Sequence, residues 1–111
     1  MKIHQIGQEK EYHVVAVEGR MDAVSAPEFE KTLHALIADG ALKIIVNFED
    51  LDYISSAGLR SVLIIAKKMQ SKNGSIVVVS LHGTVKEIFE ISGFSTIIPI
   101  HETVAAALET A

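Results

Sequence analysis

The 111-residue chain contains no cysteine, which excludes a disulfide framework and any thiolate metal site and points to a reducing, cytoplasmic compartment. It also lacks a long apolar run, and its beginning, Met1-Lys2-Ile3-His4-Gln5, is polar at alternate positions. The expectation is a soluble protein with neither a signal peptide nor a membrane span. Lysines and arginines are dispersed rather than striped along one face, and the formal charge is only −4. The electrostatic footprint of a nucleic-acid binder is therefore missing. Neither a Gly-x-x-x-x-Gly-Lys-Ser/Thr loop nor a Gly-x-Gly-x-x-Gly fingerprint occurs, which argues against a nucleotide enzyme. The histidines, His4, His13, His34, His82 and His101, stand singly with no paired ligand spacing, so no metal centre and no cofactor is expected.

What is present is apolar content of 49% in a chain of one-domain length. That is enough for a single core over residues 1–111, with no repeat, linker or charged tail to mark a second unit. Ile3 and Ile6, then Tyr12 with Val14 to Val17, form two extended runs around the polar Gln8-Glu9-Lys10-Glu11, which predicts an opening hairpin. Ser25-Ala26-Pro27-Glu28 has the form of a capping box, and Phe29, Leu33, Leu36 and Ile37 recur at helical spacing, giving a first helix from Ala26 to Ala38. Leu42 to Val46 is a β-branched strand. A second helix opens at Ser56, presents Leu59, Val62, Leu63, Ala66 and Met69 on one face, a stripe that Ile64 and Ile65 widen, and ends at Asn73-Gly74. Ile76 to Val79 reads as a strand buried on both faces, Thr84 to Ile91 as a third helix, Ile97 to Ile100 as an edge strand broken by Pro99, and Thr103 to Leu108 as a short last helix. The order ββαβαβαβα implies an α/β fold: a mixed, mostly parallel five-stranded sheet with covering helices, only the first strand running antiparallel.

The stretch Asn47-Phe48-Glu49-Asp50-Leu51-Asp52-Tyr53-Ile54-Ser55-Ser56-Ala57-Gly58-Leu59-Arg60 joins the buried third strand to the second helix. In α/β sheets ligands and partners meet the carboxyl ends of strands, and a helix amino terminus there offers unpaired N–H groups. One serine at this junction is explained by capping; a second is surplus. Gly58 in the first turn weakens the helix by up to ~1 kcal/mol relative to alanine, so a missing side chain must serve close packing in the fold or close approach by another molecule. Asp22, in the loop before the first helix, should open on the same edge; by residue type alone it is a turn former using its carboxylate on local N–H groups. The successive acids Glu49, Asp50 and Asp52 read as a solvated loop.

Asn47-Phe48 through Tyr53-Ile54-Ser55-Ser56-Ala57-Gly58-Leu59-Arg60 resembles the bacterial anti-sigma factor antagonists, the single-domain members of the STAS family. Their pattern is a strand ending near Asp or Asn, a hydrophobic loop, then Asp-Ser-Ser/Thr/Ala-Gly-Leu opening a helix. Gly19-Arg20-Met21-Asp22 and Val85 to Phe94, with its Ser92-Gly93 ending, extend the resemblance over nearly the whole chain. It implies a phosphorylation switch. Ser56 matches the target serine, and the unmodified protein would bind an anti-sigma factor serine kinase, which uses ATP-Mg to phosphorylate it, while a metal-dependent serine phosphatase reverses the change. Asp22, Tyr53, Ser55, Ala57, Gly58, Leu59 and Arg60 become candidate partner contacts, with Leu51 and Ile54 held inward as core. The family acid before the target is Ser55 here, which makes Ser55 a rival acceptor. An alternative from the same family is a phosphorylation-independent STAS subunit docking to a transporter ATPase. An enzyme is the weakest reading, since no nucleophile–base pair can be assembled from the sequence.

Overall fold

The computed structural model describes residues 1–110. Strands β1 (Lys2–Glu9) and β2 (Tyr12–Met21) form the opening antiparallel hairpin. Its turn is tight because Lys10 and Glu11 both take positive φ, 47° and 74°, the handedness that matches strand twist. Helix α1 (Ala26–Ala38), strand β3 (Lys43–Asn47), strand β4 (Leu51–Ile54), helix α2 (Ser56–Ser71), strand β5 (Ser75–Val79), helix α3 (Gly83–Ser92), strand β6 (Ile100–His101) and helix α4 (Val104–Glu109) follow. The sheet order is β1-β2-β3-β5-β6, with β4 pairing β2 beyond the end of β3. All pairings after the hairpin are parallel.

The sheet has six strands, one more than the sequence pattern predicts. β2 is ten residues long; His13–Ala16 pair with Ile44–Asn47, and Gly19–Met21 remain free to pair with Leu51–Ile54. The Asn47 side chain accepts from the Glu49 N–H at 2.9 Å and the Leu51 N–H bonds to the Phe48 carbonyl at 3.0 Å, a turn that re-aims the chain along β2. Leu51 and Ile54 are buried, as expected of them. At the other edge the last strand shrinks to Ile100–His101, because Phe94–Thr96 winds into a 3-10 turn and Pro99 has no N–H to donate.

The main core lies between the sheet and helices α1, α2 and α3, and includes Phe29, Leu33, Val46, Phe48, Leu51, Val62, Ile65, Met69 and Phe89. A smaller cluster of Tyr12, Val14, Ile45, Val77, Val79 and Ala107 is covered by α4 on the opposite face. Helix α2 is turned relative to its predicted stripe. Gly58, Ser61, Val62, Ile65 and Met69 are buried, whereas Leu59, Leu63 and Ala66 are half-buried flanks. Ser61 tolerates this position because its hydroxyl donates to the Glu30 carboxylate of α1 at 2.6 Å, and a buried polar group with a charged acceptor incurs little net penalty.

Candidate functional site

Parallel pairing of Met21 with Ile54 brings two junctions to one edge of the sheet: the β2–α1 loop and the β4–α2 turn. They are tied together, since the Ser55 N–H bonds to the Met21 carbonyl at 2.9 Å and extends the ladder by one residue. The chain then enters α2 at once. Ser55 is extended (φ −90°, ψ 173°) and its side chain accepts from the Gly58 N–H at 3.2 Å, the geometry of an N-cap. Ser56 is the first helical residue, is exposed, and its hydroxyl has no hydrogen-bond partner among the described residues. The two serines therefore divide the labour: one closes the helix and the other stands in solvent at the positive end of the dipole.

Gly58 lies inside the fold, and this corrects its assignment as a surface contact. A Cβ built there would lie 2.8 Å from Ile54 Cγ1, 2.8 Å from the Met21 carbonyl oxygen and 3.2 Å from Met21 Cγ. The missing side chain lets α2 press against β2 and β4. Of the other candidates, Arg60 is exposed, Tyr53, Ser55, Ala57 and Leu59 are half-buried, and Leu59 also packs on the core.

Asp22 is half-buried and organises its own loop. Its Oδ1 accepts from the N–H groups of Val24 and Ser25, both at 3.1 Å, and its carbonyl accepts from the Ala26 N–H at 2.8 Å. The backbone bond from Ser25 is the main reason its carboxyl sits below the ordinary value of 3.8; burial works the other way, and the Ser25 hydroxyl, the Val24 N–H and the Arg20 charge add to the lowering. The predicted capping box is replaced by this arrangement. Ser25 has helical φ and ψ and makes no side-chain cap; its hydroxyl instead accepts from the Asp22 N–H at 3.0 Å and donates to the Arg20 carbonyl at 2.9 Å. The loop so fixed holds Val24 90% exposed.

Two further features of this rim were not legible in the sequence. The Arg20 guanidinium lies 4.2 Å above the Tyr53 ring centroid, a cation–π contact that follows from the Arg20–Tyr53 pairing across β2 and β4. His82, at the cap of α3, hydrogen-bonds through Nε2 to the Glu49 carbonyl and so ties the β3–β4 turn to α3. Register across 33 residues is the information a linear reading lacks. Glu49, Asp50 and Asp52 are exposed. The rim is a solvent-facing surface that carries the Ser56 hydroxyl, the Arg20–Tyr53 pair and the exposed Val24.

Among the described residues no helix is long and apolar enough to cross a membrane. Comparison with known proteins places the fold and the pattern together. BtrV of Bordetella bronchiseptica, assigned as an anti-sigma factor antagonist, is 39% identical over 101 residues, covering 88% of this chain and 87% of BtrV. The structure of an anti-sigma factor antagonist from Mycobacterium paratuberculosis superposes with a TM-score of 0.86 at 23% identity, covering 98% of this chain and 93% of that one. The unphosphorylated Bacillus anti-sigma factor antagonist SpoIIAA superposes with a TM-score of 0.75 at 18% identity over 98% and 96% of the two chains. The STAS domain model matches residues 5–107, and the chain belongs to the STAS domain family.

Proposed function

We propose that this protein is a cytoplasmic anti-sigma factor antagonist, a switch and a kinase substrate rather than a catalyst. The exposed, uncommitted hydroxyl of Ser56 at the first position of α2, beside a Ser55 already engaged as cap, supports this reading above all else. The unmodified rim, with Asp22 shaping its loop and Tyr53, Ala57, Leu59 and Arg60 at its surface, binds an anti-sigma factor that is also a serine kinase, and the sigma factor is released. In the transfer, a Ser56 Oγ–P bond forms, the bond between the γ-phosphorus of ATP and its bridging oxygen breaks, ADP leaves, and the hydroxyl proton is given up. A metal-dependent phosphatase hydrolyses the ester and restores the hydroxyl.

The magnitudes place the effect at the interface. A phosphate at a helix amino terminus gains ~0.3–2 kcal/mol from the dipole, so the fold accepts it. Buried unpaired against a partner, a charge costs roughly 3–5 kcal/mol, close to the ~5.5 kcal/mol that takes a population from 1:99 to 99:1. Likeness to BtrV and to the other antagonists supports the class of partner.

Incubation of the wild type, Ser56→Ala and Ser55→Ala with the cognate kinase and ATP, followed by peptide mass spectrometry, tests the assignment. Label is expected in the wild type and in Ser55→Ala only. Label that survives in Ser56→Ala and disappears in Ser55→Ala transfers the role to Ser55; absence of label from all three, with undiminished kinase binding by Ser56→Asp, removes the switch.

A further inference from the structure

Helix α2 runs from Ser56 to Ser71, so Arg60 stands one turn after Ser56 on the same face, with Cβ atoms about 5–6 Å apart. Helical side chains lean toward the amino terminus, which carries the long arginine stem back over the first turn. Both residues are exposed. Among the described residues Arg60 has no carboxylate within ion-pair distance, whereas the other arginine of the rim, Arg20, is already seated on the Tyr53 ring. The acid at this junction is Asp22, next in sequence to the Met21 whose carbonyl holds the Ser55 N–H, and its carboxylate is engaged by the Val24 and Ser25 N–H groups; Glu49 and Asp50 lie beyond the other end of β4.

We propose that Arg60 is the intramolecular counter-ion of phosphorylated Ser56. This rests on Ser56 being the acceptor. The planar guanidinium matches two phosphate oxygens at once, as the point charge of a lysine does not. Drawn by Arg60, the phosphate turns along the helix. One modification then changes the docking face twice: it adds a dianion and withdraws the guanidinium that the unmodified protein presents to its partner. Arg60 is thus a positioning residue for the switched-off state.

The test needs no kinase. Full-length protein with phosphoserine installed at position 56 during synthesis is titrated by phosphorus NMR as wild type, Arg60→Gln, Arg60→Lys and Lys67→Gln. Lys67, eleven residues on, lies about 16 Å further along the axis and reports any effect of net charge alone. The second ionisation of a phosphoserine lies near pH ~6, and a nearby cation lowers it. Arg60→Gln is expected to raise it by about 0.2–0.7 unit, the amount an exposed ion pair supplies. Arg60→Lys should keep part of the lowering, Lys67→Gln should leave it in place, and the difference between wild type and Arg60→Gln should collapse in about 1 M salt, where the Debye length is ~3 Å. Wild type and Arg60→Gln titrating together, or an equal shift in Lys67→Gln, overturns the proposal. A kinase that ignores Ser56 in the separate labelling assay overturns the acceptor assignment instead and leaves these titrations intact.

Discussion

Gly58→Ala sets two effects of opposite sign against each other, and the structure decides between them. Alanine in place of glycine inside a helix gains up to ~1 kcal/mol. At Gly58 the added methyl meets the Met21 carbonyl oxygen and Ile54 Cγ1, each at 2.8 Å, and forced overpacking costs about 1–3 kcal/mol. Neither neighbour yields cheaply. The Met21 carbonyl is held by the Ser55 N–H at 2.9 Å, and Ile54 is 1% exposed. The clash should win, for a net loss of about 1–2 kcal/mol. With an unfolding entropy of ~2.1 cal/mol/K per residue, a chain of this length loses about 4 °C in Tm per kcal/mol, so a fall of roughly 4–9 °C is expected by calorimetry. The urea midpoint should fall with an unchanged slope. A variant as stable as the wild type, or more so, would refute the claim that α2 is seated through this glycine.

Other consequences follow from the same geometry. Ser55→Ala should cost about 1 kcal/mol through loss of the Gly58 cap, whereas Ser56→Ala should stay within about 0.5 kcal/mol in urea denaturation; equal costs would mean that the cap is misassigned. Ser61→Ala removes the bond to Glu30 and should cost about 1–2 kcal/mol, largely absent when Glu30→Ala is the background. Asp22 has a carboxyl held below its ordinary 3.8, so its ionised form favours the fold: that contribution is complete above the unfolded-state value and is lost as pH falls through the lower folded value. The stability gap between wild type and Asp22→Ala should therefore be constant near neutrality and narrow only below about pH 4; a gap that narrowed near pH 6 would point to a different group.

The four helices and the order of the main strands were legible because each depends on local periodicity and on stop signals such as Asn73-Gly74 and Ser92-Gly93. The features that were missed depend on partners distant in the chain. β4 exists because β2 outruns β3, and no window around Leu51–Ile54 contains the length of β2. The inward face of α2 was misjudged at Ser61 because hydropathy cannot know that Glu30 waits 31 residues earlier. Ser25 has the residue type of a cap, yet its hydroxyl is engaged instead by the Asp22 N–H and the Arg20 carbonyl of the preceding loop. The dual reading of Gly58 could be stated from sequence but not resolved, since the competing explanations differ only in what lies opposite the missing Cβ.

Ser55 shows how a departure from a family pattern can be silent for the fold and still matter to the proposed switch. Serine and aspartate cap a helix about equally well, so the bond from the Gly58 N–H asks only for an oxygen at that place. The charge beside Ser56 is another matter. With an acid at position 55, a phosphate at 56 would face a carboxylate from the adjacent residue, a repulsion of about 1 kcal/mol per pair of unit charges at 4 Å in water and more where solvent is partly excluded. With Ser55 engaged as a neutral cap, that repulsion is absent, and Arg60 stands one turn along the same helix face. On the proposed switch, a phosphate at Ser56 is therefore less costly with serine at position 55 than with an acid there.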